Sequence, residues 1–239
     1  MMDEFEAFLK TEGFSERLIG EAAGRLEVYM DGILKWNKKV NLTAITSRDE
    51  FVRKHLLDSV MCCGAEEISS AGTVIDVGTG GGFPGIPLAA IFPEKQFVLL
   101  DSLGKRIKVI KEISGAAGIV NTEFIHARAE DLAREKKYRE KFDLCVSRAV
   151  AGMPVLAEYC LPFVRRGGTF LAFKGRDCSS EMAEAENAIS ILGGRILRGE
   201  DHGSMGYGIE HTYIYIRKEK STPVRYPRRA GTPEKEPLK

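Results

Sequence analysis

Apolar residues that include Leu18, Ala22, Leu26 and Met30 recur at helical spacing along the first 36 residues, the spacing that gathers side chains onto one face of a helix. Ser15 stands before Leu18 as a helix-capping residue, with Glu16 in the first turn. Residues 3–36 therefore predict a helical extension. Past the polar stretch Trp36-Asn37-Lys38-Lys39 and a loop around Asn41-Leu42-Thr43, a further helix is predicted from Arg48 to about Cys63. The rhythm then changes. Short apolar runs at Thr73–Val77, Gln96–Leu100, Thr122–Ile125, Phe142–Val146 and Thr169–Phe173 alternate with predicted helices of roughly ten residues or more. Such alternation predicts β-α-β units and a mostly parallel sheet with helices on both faces. After a helix over Glu181–Leu192 and the pair Gly193-Gly194, the runs Arg195–Arg198 and Thr212–Arg217 have no helix between them and should pair antiparallel. The expected architecture is α/β: a mostly parallel seven-stranded sheet with an antiparallel last strand. Four prolines after Ser221 (Pro223, Pro227, Pro233, Pro237) predict an extended tail without helix. The expected divisions are a helical extension at 1–66, a core at 67–220 and a tail at 221–239.

The most informative chemistry follows the first strand. Thr73-Val74-Ile75-Asp76-Val77 runs directly into Gly78-Thr79-Gly80-Gly81-Gly82-Phe83-Pro84-Gly85, and an apolar helix follows. Strand, glycine turn and helix start are the parts of a nucleotide crevice at the carboxyl edge of an α/β sheet. Its spacing discriminates among ligands. A dinucleotide turn, Gly-x-Gly-x-x-Gly, would need glycine where Phe83 stands, which disfavours an oxidoreductase, and a phosphate-binding P-loop would need Lys-Ser or Lys-Thr after the glycines. The motif present is Asp-x-Gly-x-Gly-x-Gly, which points to S-adenosylmethionine. Asp76, Gly78, Gly80, Gly82 and Phe83 are its candidate binding residues, and Asp76 suits the cationic methionine end. Asp101, at the end of the next strand, is placed to take both ribose hydroxyls of an adenosine. Ala129 and Glu130 follow the third strand and are candidates for reading the adenine amino group. Arg148 follows the fourth and is placed near the reacting centre, where it could bind a carboxylate or a phosphate; an ordinary ion pair is the plainer reading. No general base is evident, so catalytic residues stay unassigned, with Arg148 and Asp76 as positioning candidates.

Composition narrows the class. The chain of 239 residues is 44% hydrophobic and 29% charged, ordinary for a folded protein. The acidic start, Met1-Met2-Asp3-Glu4-Phe5-Glu6, is unlike a signal peptide, and no apolar run approaches the roughly 20 residues of a membrane span. A cytoplasmic location without membrane association is expected. Five cysteines without a Cys-x-x-Cys pair suit reduced, buried thiols, and no metal site is expected. The net charge of +1 conceals an asymmetry. Residues 1–31 carry three basic and eight acidic side chains, whereas residues 217–239 carry eight basic and three acidic ones. A basic end of this kind suits nucleic acid. Arg225, Arg228 and Arg229 with Tyr226 are candidate RNA contacts, the arginines for phosphates and Tyr226 for stacking. The alternative is a strap whose prolines and Tyr226 pack on the sheet edge.

Several blocks together carry a specific resemblance: Asn41-Leu42-Thr43-Ala44-Ile45, His55-Leu56-Leu57-Asp58-Ser59, Gly82-Phe83-Pro84-Gly85-Ile86-Pro87, Leu100-Asp101-Ser102-Leu103-Gly104-Lys105-Arg106, Ser147-Arg148-Ala149-Val150-Ala151, and Tyr226-Pro227-Arg228-Arg229-Ala230-Gly231. The chain resembles the RsmG family, also called glucose-inhibited division protein B, of 16S ribosomal RNA guanine-N7 methyltransferases. The resemblance implies a Rossmann-like class I S-adenosylmethionine-dependent methyltransferase fold. It also implies cofactor contacts at Gly78, Phe83, Asp101, Ser102, Leu103, Ala129, Glu130 and Arg148. The implied partner is 16S ribosomal RNA, in the small ribosomal subunit or an assembly intermediate, acted on by a monomer. Lys174-Gly175 also fits the pattern, and Lys174 joins the tail residues and His55 as substrate candidates. His55 and Asp58 are three apart on one predicted helix face; a hydrogen-bonded pair joining extension to core is the favoured reading, and substrate contact the other. Other readings are a methyltransferase acting on another RNA or a small molecule, and a noncatalytic RNA-binding or ribosome-assembly factor.

Overall fold

A computed structural model of the protein describes residues 2–201, 207–209 and 211–238. The helical extension divides into α1 (Asp3–Thr11) and α2 (Glu16–Trp36). Gly13 lies between them with φ +83°, and the Ser15 hydroxyl accepts a hydrogen bond from the Leu18 N–H at the start of α2, as an N-cap should. Next come α3 (Arg48–Phe51), a π-helical stretch (Val52–Leu57) and α4 (Asp58–Val60) without interruption. The single helix expected from Arg48 to Cys63 therefore widens in its middle and stops three residues sooner. A short α5 (Glu66–Ser69) leads to the sheet.

The sheet is built from β1 (Thr73–Val77), β2 (Gln96–Asp101), β3 (Thr122–His126), β4 (Phe142–Arg148), β5 (Val164–Gly175), β6 (Gly194–Asp201) and β7 (His211–Lys218). Their order across the sheet is β3-β2-β1-β4-β5-β7-β6. Every pairing from β3 to β5 is parallel; β7 runs antiparallel to both β5 and β6, between which it inserts. The expected mostly parallel seven-stranded sheet with an antiparallel last strand is present. The connections α6 (Gly85–Ile91), α7 (Gly104–Ala116), α8 (Ala129–Leu132), α9 (Met153–Cys160) and α10 (Ser179–Ile191) complete it. Of these, only α7 and α10 reach the expected ten residues.

Two cores follow from strand alternation. β1 sends Val74 to one face, with α1, α2, α6 and α7, and Ile75 and Val77 to the other, with α9 and α10. The N-terminal helices thus share a core with the sheet. Gly32 permits the close approach of α2 to α7: a Cβ there would stand 2.4 Å from Ile113 Cγ2. The five cysteines are buried and free. Among the described residues, no helix is long and apolar enough to cross a membrane.

The tail is not uniformly extended, which corrects the expectation. Gly231, at φ +80°, turns the chain into α11 (Thr232–Lys235). Pro233 does not prevent this turn, because a proline at the start of a helix lacks an N–H that would have had no partner there.

Candidate active site

The carboxyl ends of β1 and β4 are neighbours, and the chain leaves them in opposite directions across the sheet. Ligands of open α/β sheets collect at such a switch point. The turn after β1 takes left-handed backbone at Gly78, Gly80 and Gly82, with φ +75°, +57° and +92°. Val150, just beyond β4, lies over Gly78 so closely that a Cβ there would meet Val150 Cγ2 at 2.3 Å. Tyr29, fully buried on α2, donates its hydroxyl to the Gly81 carbonyl at 2.9 Å. The extension therefore braces the turn from behind.

Two cavities meet at Gly78. One, of about 200 Å³, is lined by Gly78, Asp101, Ser102, Ala129, Glu130, Tyr159 and Glu234 among others. The second, of about 390 Å³, is lined by Thr43, His55, Gly78, Gly80, Phe83, Arg106, Arg148 and His211 among others. Asp101 faces the first cavity while each carboxylate oxygen holds backbone: Oδ2 accepts the Gly80 N–H at 2.9 Å and Oδ1 the Leu103 N–H at 2.8 Å. These bonds fix the carboxylate and leave further lone pairs for a ligand. A nucleoside fits the first cavity on these grounds.

Asp76 has a different place from that expected. It is fully buried and absent from the walls of both cavities; Oδ2 accepts the Thr79 hydroxyl at 2.7 Å and the Gly85 N–H at 2.9 Å. Asp76 thus ties the two ends of the glycine turn together, and it faces the crevice from behind that turn rather than from a cavity wall. The other oxygen, Oδ1, has no hydrogen-bond partner among the described residues. Burial raises the carboxyl to about 6, against the lowering effect of the two hydrogen bonds. A cation in the crevice would find this carboxylate behind the turn. Gly82 also lies behind, where an added Cβ would meet the Tyr29 hydroxyl at 2.3 Å.

The second cavity has a rigid polar wall. Arg148, at the end of β4, donates Nη1 to Asp58 Oδ2 at 2.5 Å and to the Lys54 carbonyl at 3.1 Å; its Nη2 meets His55 Nδ1 at 3.0 Å. Arg148 is 9% exposed and Asp58 1%, so this is a buried pair rather than the surface pair considered from sequence. His211 Nδ1 lies 2.7 Å from the other Asp58 oxygen. Although burial opposes it, the hydrogen bond from His211 and the charge of Arg148 hold the Asp58 carboxyl below its ordinary value. His55 stacks on Phe83, centroids 4.3 Å apart and planes 8° from parallel, and its Nε2 lies 2.6 Å from the Thr43 hydroxyl. Burial, then the Arg148 charge, lower the His55 pKa to about 3, so the ring is neutral at physiological pH. With Nδ1 accepting from Arg148, the proton resides on Nε2, which donates to the Thr43 hydroxyl oxygen. The π-helical stretch carries His55, and Asp58 follows directly; π turns often accompany functional sites.

Of the expected RNA contacts, Arg225 and Arg229 are exposed. The other three candidates outside the crevice make internal contacts. Tyr226 is 7% exposed and packs in the core with α9. Arg228 holds the fully buried Glu158 of α9 through Nε (3.0 Å) and Nη2 (2.7 Å). Lys174 bonds the Ala151 carbonyl at 3.1 Å and Glu181 at 2.6 Å. The strap reading of the tail is the one its contacts match, although it lies on α8 and α9 rather than at the sheet edge.

Sequence reasoning missed Tyr29, Glu158, Tyr159, His211 and Glu234. Only Glu158 left a signal, a carboxylate within the otherwise apolar Met153–Cys160, since buried acids need partners.

Residues 23–201 match the family model described as rRNA small subunit methyltransferase G. The chain belongs to this family. It is 46% identical over 215 residues, 90% of each chain, to a ribosomal RNA small subunit methyltransferase G of Alkaliphilus metalliredigens (strain QYMF). A Clostridium novyi (strain NT) protein of the same name is 48% identical over 88% of this chain and 86% of its own. The fold is shared more widely. An O-methyltransferase from Bacillus cereus, solved in complex with SAH, superposes with TM-score 0.56 at 16% identity over 80% of this chain and 91% of that one. TomG of Streptomyces achromogenes, an O-methyltransferase solved with SAM, gives 0.54 at 14% identity over 81% and 90%. These two likenesses show that the sheet and its helices have a fold shared with those methyltransferases.

Proposed function

We propose that the protein transfers the methyl group of S-adenosylmethionine to N7 of a guanine in 16S ribosomal RNA, acting as a cytoplasmic monomer on the small subunit or its precursor. The observation that carries this reading is the pair of cavities meeting at Gly78, one nucleoside-sized with the Asp101 carboxylate on its wall, the other walled by His55, Phe83 and Arg148. Residues 67–220 form the transferring core in this proposal, with 1–66 bracing it and 221–239 strapped across it.

When bound, the cofactor supplies an electrophilic methyl group on a sulfonium. Asp101 takes the ribose hydroxyls while Gly80 and Leu103 N–H groups keep its carboxylate in place. His55, being neutral, sets no positive charge beside the sulfonium, and the Asp58 carboxylate offsets that of Arg148. Arg148, held by Asp58 and His55, fixes the wall of the second cavity, which the stacked Phe83 and His55 also line and where an incoming base would be received. Guanine N7 has an in-plane lone pair, so attack requires no proton removal. Rate enhancement then comes from holding N7, methyl carbon and sulfur in line, an orientation effect. This agrees with a site whose histidine beside the turn is tied up in hydrogen bonds.

The test is methyl transfer from labelled cofactor to isolated small subunits, deproteinised RNA and a metabolite mixture, followed by nucleoside analysis. The reading requires 7-methylguanosine in 16S RNA. Label in metabolites, or in a different base, contradicts it.

A further inference from the structure

The C-terminal strap is fastened far more firmly than a solvated basic tail requires. Arg139 on the β3–β4 connection donates to the carbonyls of Thr222 and Tyr226, each at 2.8 Å, and Arg134 to that of Pro227 at 2.6 Å. Arg228 then grips Glu158 with its own backbone N–H (2.7 Å) as well as its guanidinium. Further along the strap, the Gly231 N–H donates to Glu130 Oε1 at 2.9 Å. Two of these contacts, at Glu130 and Glu158, are to α8 and α9, whose Glu130 and Tyr159 line the nucleoside-sized cavity. They deliver α11 to its mouth, where Glu234 joins Tyr159, Ala129 and Glu130 on the wall.

We infer that the strap is part of the cofactor site, and that Glu234 accepts a hydrogen bond from the N6 amino group of the adenine. The inference rests on the reading of this cavity as the S-adenosylmethionine site. With Asp101 fixing the ribose, the base must extend from Gly78 toward the wall formed after β3 and by α11. Adenine turns a donor, its N6 amino group, to that wall, and a carboxylate matches it. Glu130 is on the same wall, with one oxygen engaged by the strap backbone. Glu234 stands on the turn that this bond and the Arg228–Glu158 pair hold in place. A hypoxanthine base has an acceptor oxygen at position 6, which faces a carboxylate unfavourably, so Glu234 confers selectivity for adenosine.

Calorimetric titration of the wild-type protein, Glu234→Gln and Arg228→Lys with S-adenosylhomocysteine and S-inosylhomocysteine tests this. Wild type should prefer the adenosyl ligand by about tenfold or more, as expected where a polar partner is mismatched. Glu234→Gln, whose amide can turn its oxygen to the adenine amino group or its NH2 to the inosine oxygen, should bind the two ligands about equally and so lose the preference. Arg228→Lys, which cannot reproduce the bidentate grip, should weaken both ligands in parallel. Unchanged selectivity in Glu234→Gln overturns the assignment of Glu234, and wild-type affinity in both variants overturns the strap's part in the site while leaving the methyltransferase reading intact. A wild-type protein that binds neither ligand overturns that reading itself, and this inference with it.

Discussion

Burial keeps the Asp76 carboxyl protonated further up the pH range than a surface carboxylate, to about 6, and its Oδ1 has no partner among the described residues. A cationic cofactor in the adjoining crevice lowers that pKa, so the complex binds fewer protons than the free protein. Affinity for S-adenosylmethionine should therefore rise with pH, by about tenfold between pH 5 and 7 for one group titrating near 6. Asp76→Asn keeps an acceptor for Thr79 and Gly85 and should remove most of this slope; calorimetry over that range measures it. An equal slope in the variant would assign the dependence to another group. From sequence, the carboxylate's type and its position before the glycines were legible, but its direction was not. Which side of a turn a carboxylate faces depends on Thr79 and Gly85 closing on it from behind, and no spacing encodes that. For Asp101 the type and the place at the end of the neighbouring strand were legible, and its carboxylate lines the first cavity.

The strap illustrates the same limit for a whole segment. Its prolines correctly excluded a long helix, and its arginines suggested RNA, yet Arg228 and Tyr226 are bound to α9. Removing Arg228 leaves Glu158, which is fully buried, without its countercharge. Arg228→Ala should lower unfolding stability by about 3 kcal/mol, as for other buried pairs broken on one side. Arg229, exposed, should change it by less than about 0.5 kcal/mol on truncation. Urea unfolding of both variants checks the contrast; equal, small effects would show that the Glu158 grip contributes little. The β-α-β rhythm was legible because buried parallel strands read as short apolar runs. The insertion of β7 between β5 and β6, the π-helical widening at Val52–Leu57 and the turn α11 were not, since each depends on tertiary partners.

In the assembled molecule, extension, sheet and strap close around one crevice: Tyr29 braces the glycine turn, Asp58 and His55 hold Arg148, and α11 reaches the other end. If N7 is the nucleophile, no general base is needed. The single-turnover rate at saturating cofactor should then be nearly flat from about pH 7 to 8.5, where a base-dependent route would rise up to about tenfold per unit below its pKa. Rapid-quench transfer to small subunits measures this, and a steep rise would favour an oxygen or exocyclic amine target. The most direct test of the central claim is a methylation map of 16S ribosomal RNA from cells with and without this protein. The account predicts one N7-methylated guanine that disappears when the protein is absent and returns when it is restored. Identical maps, or the loss of a methyl group from any other kind of atom, would contradict it.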